Sequence, residues 1–130
     1  MTSWSGLPFV RGTSPPYVAA ILTTALSDDP VDLAGYEEAA ARMADLAVRI
    51  DGYLGMEFAR DEHCGITVSY WRDLDALRNW REDIEHVAAQ RDGRERFYLG
   101  YRARICHVER EYEWARPPDL VPTTTDSANE

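Results

Sequence analysis

Residues 17–26, Tyr-Val-Ala-Ala-Ile-Leu-Thr-Thr-Ala-Leu, constrain this chain more than any other stretch. Successive side chains on a strand point to opposite faces, and here both alternating sets are apolar or small. A strand of that kind suits the middle of a sheet covered on both sides. Each of those faces needs a cover.

Downstream, Asp28-Asp29-Pro30 breaks the chain and Asp32 is a good N-cap for a helix. Leu33, Tyr36, Ala40, Met43, Ala47 and Ile50 recur at three- and four-residue steps, while Glu37, Glu38, Arg42, Asp45 and Arg49 fill the opposite face. Asp51-Gly52 ends that helix. Tyr53 to Arg60 then alternates with Leu54, Met56 and Phe58 inward, Asp61-Glu62-His63 turns, and Gly65 to Trp71 is the partner strand. Asp73 caps a second helix with the stripe Leu77, Trp80, Ile84 and Val87, ending near Asp92-Gly93. Its length suggests a break near Glu82-Asp83. The last strand begins near Leu99 or Gly100. Tyr101, Ala103 and Ile105 share one phase, whereas Cys106, Val108, Tyr112 and Trp114 follow the other, which is the trace of a β-bulge.

The order strand, helix, strand, strand, helix, strand is the α+β, ferredoxin-like split βαβ plan (βαββαβ), with both helices on one face of a four-stranded antiparallel sheet. Nothing in the chain covers the other, apolar sheet face. A second copy is the economical cover, so a homodimer through sheet faces is expected.

The 130 residues divide into an arm (1–16), one domain (17–115) and an acidic tail (116–130) expected to be disordered. The arm is punctuated by Gly6, Pro8, Gly12, Pro15 and Pro16, and its Trp4, Leu7, Phe9 and Val10 are apolar enough to dock on the body or a partner subunit. The net charge is −9, and without residues 117–130, which hold Asp119, Asp126 and Glu130, it stands near −6. An acidic body has no counterion-release drive toward a phosphate backbone, so no nucleic-acid partner is expected. Two distant cysteines make no zinc framework, no signal-peptide pattern opens the chain and no apolar run would span a bilayer. A cytoplasmic protein with no membrane partner is expected.

Chemistry-bearing residues crowd into one region. Three of the four tryptophans, two of the three histidines and four of the seven tyrosines lie between Tyr70 and Trp114. Within it, Ser69-Tyr70-Trp71 with Leu74, Leu77 and Trp80, then His86 with Ala89-Gln90, Gly93-Arg94, Tyr98 and Tyr101, resemble the antibiotic biosynthesis monooxygenase (ABM) superfamily, as does Ile50-Asp51-Gly52-Tyr53-Leu54-Gly55 earlier in the chain. The resemblance spans about residues 17–114 and implies a dimeric α/β-barrel. That scaffold hosts several activities. Some members oxygenate anthrone-type polyketides or quinols without metal or flavin: an activated phenol or enol is deprotonated and its carbanion reduces dioxygen directly. Others degrade haem or bind small molecules.

The resemblance implies a monooxygenase acting on a small aromatic, phenolic or quinone-like ligand, with no cofactor. Trp71, Trp80 and Gln90 would contact substrate, His86 would be the base, and Tyr98 or Tyr101 would orient the substrate oxygen. Each has an ordinary reading beside it. Trp80 lies where haem-degrading relatives place a helix tryptophan, yet it equally suits a core stripe. Those relatives want a histidine ten residues further on; this chain has Gln90, a poor iron ligand. His86 has Glu82 and Asp83 one turn before it and would also serve as a helix-surface histidine. Tyr98 and Tyr101 would cap a barrel end, and Arg102 and Arg104 alternate to the face opposite Tyr101. Cys106 and His107 point to opposite faces of one strand, so no metal is expected between them. The alternatives are a haem- or small-ligand-binding dimer without turnover, and a stress-associated dimer whose pocket is filled by its own aromatics. No phosphate loop or serine-nucleophile elbow is present.

Overall fold

The computed structural model describes residues 7–90 and 98–117, the side chains of 86–90 excepted. The elements are β1 (Tyr17–Leu26), α1 (Pro30–Ala47), β2 (Tyr53–Arg60), β3 (Cys64–Trp71), α2 (Leu74–Gln90) and β4 (Tyr98–Val108). They form one antiparallel sheet in the order β2-β3-β1-β4. This is the expected ferredoxin-like α+β plan, and β1 lies inside the sheet, as its two apolar sets require.

Local chemistry moves several boundaries. α1 begins earlier than expected because Asp29, not Asp32, is its N-cap: Asp29 Oδ1 accepts the Val31 N–H at 2.8 Å. Pro30 opens the helix rather than breaking it, since a first-turn residue has no intrahelical N–H bond to lose. Asp32 instead accepts the Ser27 hydroxyl at 2.8 Å. α1 also stops at Ala47, short of Ile50, and the chain turns through Gly52 at φ +100°. There glycine serves two needs, because a Cβ would lie 2.8 Å from the Ala76 Cβ. Asp73 caps α2 as expected, Oδ1 accepting the Ala76 N–H at 2.9 Å, and α2 runs without a break at Glu82-Asp83.

Two register shifts matter more. Between Tyr53 and Gly55 the β2 register slips, so Tyr53 rather than Leu54 packs into the core with Met56. In β4 the irregularity lies between Gly100 and Tyr98, not after Ile105, and pairing is regular from Gly100 to Val108. Tyr98 and Tyr101 are three apart and would otherwise point to opposite faces; the bulge brings both to the helix side.

The helix-facing side of the sheet is a ladder of four rungs. Tyr53, Trp71, Val18 and His107 form the first; Met56, Ser69, Ala20 and Ile105 the second; Phe58, Thr67, Leu22 and Ala103 the third; and Arg60, Gly65, Thr24 and Tyr101 the fourth. At the first rung Trp71 and Val18 pack with Ala47, Ala76 and Leu77 from the two helices, and Trp71 has no exposed surface.

The opposite sheet face is not bare, which corrects the expectation that nothing in the chain covers it. Val10 seats its methyls 2.7 Å from where a Gly55 Cβ would stand, and its N–H donates to Glu57 Oε2 at 2.7 Å. The Tyr70 hydroxyl donates to the other oxygen of that carboxylate at 2.7 Å. Thr13 and Tyr17 donate to Glu111, and Arg11 pairs with Glu113 at 3.1 Å. The arm therefore covers the β2 margin, while Ile66 on the same face stays 44% exposed. Among the described residues no helix is long and apolar enough to cross a membrane. The tail beyond residue 117 lies outside the described residues.

Candidate functional site

Between the upper three rungs and the two helices lies an open cavity of about 830 Å³, within the range that small-molecule sites occupy. Small side chains make it. Ala40, Ala41 and Ala44 of α1 face a floor that includes Ala20, Thr24 and Ala103, so the layers cannot close on one another. Leu77, Trp80 and Ile84 of α2 form the far wall, and Tyr98 and Tyr101 of β4 stand at one side.

Trp80 is held on two sides. Its ring stacks on Trp71 at 5.0 Å and 29°, and its Nε1–H donates to the Met43 carbonyl of α1 at 2.9 Å. Held in this way, the indole is a fixed part of the wall. The Tyr98 and Tyr101 rings meet edge to face at 5.6 Å. Of the residues expected at the site, Trp80, Tyr98 and Tyr101 share the cavity wall. Trp71 does not reach it; it is the buried backing of Trp80. The side chains of His86 and Gln90, on the last turns of α2, lie outside the described residues.

Polar groups are few and sit towards the fourth rung. Arg60 Nη2 bonds Glu37 Oε2 at 2.7 Å, and both line the cavity. Tyr36 is 6% exposed, and its hydroxyl lies 2.8 Å from where a Gly65 Cβ would be. Burial raises the Tyr36 phenol above its usual pKa, against the pull of Arg60 and with smaller pushes from Cys64 and Glu37. Arg81 and Glu85 stand exposed on the α2 side. Sequence reasoning missed Tyr36, Thr24 and Arg60 as site residues. Tyr36 was hidden in an ordinary apolar stripe, and only the alanines recurring on both layers signalled the space above it.

The described wall contains no histidine or cysteine, so it offers haem neither an imidazole nor a thiolate. Among the described residues no three His, Cys, Asp or Glu side chains converge as a metal-binding group. Cys106 and His107, adjacent on regular β4, alternate between faces.

Comparison with known proteins places this geometry. The chain is 42% identical over 98 residues to the uncharacterized protein YqjZ of Bacillus subtilis (strain 168), covering 75% of this chain and 83% of that one. Among solved structures it is similar to SnoaB, a cofactor-independent oxygenase from Streptomyces nogalater, with TM-score 0.57 at 17% identity over 75% of this chain and 97% of that one. A dimeric ferredoxin-like protein from an uncultured marine organism gives TM-score 0.59 at 14% identity, over 75% of this chain and all of the other. At those identities the two structures speak for a shared fold. The family model for antibiotic biosynthesis monooxygenase matches residues 24–92, and the chain belongs to that family.

Proposed function

We propose that this protein is a cofactor-independent monooxygenase of a small aromatic, phenolic or quinone-like substrate bound between helices and sheet. The observation that carries this reading is the cavity of about 830 Å³, apolar over most of its wall and flanked by a rigidly held Trp80. A planar substrate stacks there among Trp80, Ile84 and Met56, with its oxygen towards the hydroxyl-bearing side chains. Removing a proton from an anthrone-type carbon or its enol leaves an anion. That anion transfers electrons to dioxygen; the resulting carbon hydroperoxide loses water and leaves a carbonyl. One oxygen atom stays in the product and the other departs as water. The protein's tasks are to exclude water, hold the oxyanion and accept the proton.

His86 is the proposed base and Tyr98 or Tyr101 the group that orients the substrate oxygen, with Gln90 a further substrate contact. The protein is read as cytoplasmic and homodimeric, a second copy covering the part of the outer sheet face around Ile66 and Val68 that the arm leaves open. Oxygen uptake on purified protein with a panel of anthrones and quinols tests the activity. We expect uptake above the buffer rate that falls at least tenfold in His86→Ala; full turnover by that variant would remove His86 from the role. Sedimentation of Val68→Asp against wild type tests the assembly: the variant should sediment as a monomer and wild type as a dimer.

A further inference from the structure

At the fourth rung two buried hydroxyls come to the sheet, that of Thr24 on β1 and that of Tyr36 from α1. Thr24 is 2% exposed and Tyr36 6% exposed, both line the cavity, and among the described residues neither side chain has a hydrogen-bond partner. Buried polar groups in folded proteins are almost always satisfied, and an exception calls for a reason. A packing fault is a poor reason here, because the sequence makes room for one of these hydroxyls. Gly65 stands directly beneath the Tyr36 hydroxyl, where any Cβ would come within 2.8 Å of it. Gly65 is also the cross-strand partner of both Thr24 and Arg60, and Thr24 in turn pairs with Tyr101. One rung thus gathers a guanidinium, a side-chain gap filled by a phenol, a hydroxyl and a second phenol. The wall over the second and third rungs is otherwise apolar: Ala20, Leu22, Met56, Phe58, Ala103 and Ile105.

We propose that the Tyr36 and Thr24 hydroxyls form an oxygen-recognition subsite that donates hydrogen bonds to the carbonyl, enolate or phenolate oxygen of an aromatic ligand, whose hydrocarbon body lies over the apolar rungs. This rests on the reading of the cavity as the substrate site and adds which end of the substrate goes where. Both groups are donors at neutral pH, and the Arg60–Glu37 pair beside them carries no net charge. A ligand oxygen placed there satisfies both orphaned hydroxyls at once. A ligand without that oxygen leaves them buried and unpaired, which is the strong form of discrimination available to a polar site. On deprotonation the same two donors would meet a fuller negative charge and bind it more tightly. They would then serve as the oxyanion-holding group that the proposed chemistry requires.

The test uses a matched pair of tricyclic probes, anthrone and 9,10-dihydroanthracene, which differ in one carbonyl. Binding is read by quenching of intrinsic tryptophan fluorescence on the full chain. We expect wild type to prefer anthrone by about tenfold or more, in line with one or two buried hydrogen bonds gained. Tyr36→Phe should collapse that preference while leaving dihydroanthracene binding unchanged, and Gly65→Ala, which displaces the hydroxyl without removing it, should do the same. Tyr36→Phe that keeps the full preference, or that weakens both probes equally, overturns the subsite and leaves the cavity reading standing. Failure of wild type to bind either probe overturns the cavity reading, and the subsite falls with it.

Discussion

The two ends of the helix–sheet layer are built from the same six elements and could hardly differ more. At the first rung Trp71, Val18, Ala47, Ala76 and Leu77 pack as one buried cluster, and Trp71 is wholly buried. Towards the fourth rung Tyr101 is 63% exposed, and an open cavity bordered by Thr24 and Ala103 separates much of the sheet from the helices. Side-chain volume separates a core from a cavity: a tryptophan and its stacked neighbour fill one end, and alanines and a threonine border the hollow of the other. Trp80 stands on the boundary, with one face on the core and an edge of its pyrrole ring tied to α1.

Truncation at the packed end should have the largest effect. Trp71→Ala removes the ring that carries Trp80 and should destabilise the fold by about 3–5 kcal/mol, read as a lowered urea midpoint. An unchanged midpoint would mean that the first rung is not the core. Filling the hollow end should do the opposite. Ala40→Phe projects a ring into the cavity, so ligand affinity should fall by about a hundredfold. Stability should shift by no more than about 1 kcal/mol, because the ring enters space that is already open. Loss of stability as severe as in Trp71→Ala would show that the space collapses in solution.

Gly52 ties the packed end together where α1 leaves and α2 begins. Gly52→Ala demands a positive φ of an alanine and drives its Cβ into Ala76, so a loss of about 1–3 kcal/mol is expected. The smallest effect is on the acid side. Backbone N–H bonds, chiefly from Ala76, hold the Asp73 carboxyl below the usual carboxylate range. Its contribution to stability is therefore present above the unfolded value of about 3.9 and fades as pH falls through the lower folded value. The urea midpoint of wild type should drop between pH 5 and about pH 3 by slightly more than that of Asp73→Asn. Identical profiles would remove the cap from the pH response.

Much of the packed end was legible in the sequence. The doubly apolar β1, the helical stripes and the Asp73 cap each follow a period or a capping rule, and together they fix the element order. What escaped was set by single-residue shifts. The slip at Tyr53 exchanges Leu54 for a tyrosine in the core, and the bulge before Gly100 puts Tyr98 beside Tyr101; neither changes the overall pattern of alternation. Trp71 read as a site residue because it ends the strand just before the helix that carries Trp80, yet only packing reveals that it lies behind it. The hollow end was hard to see for a simpler reason. An alanine on a helix face is equally at home packed against a core or bordering a void, and the difference depends on what stands opposite. The arm's contact with Gly55 required both strands in register before Val10 had a seat.

The hollow end is where oxygen chemistry is expected to occur. The most direct measurement is anthrone-dependent oxygen consumption at an electrode, run in chelator-treated buffer with wild type and folded Ala40→Phe side by side. We expect wild type to consume one dioxygen per anthrone converted to anthraquinone, well above the buffer rate, and Ala40→Phe to fall back to that rate. Uptake of equal size in both proteins would place the chemistry outside the cavity, and uptake in neither would contradict an oxygenase acting on this class of substrate.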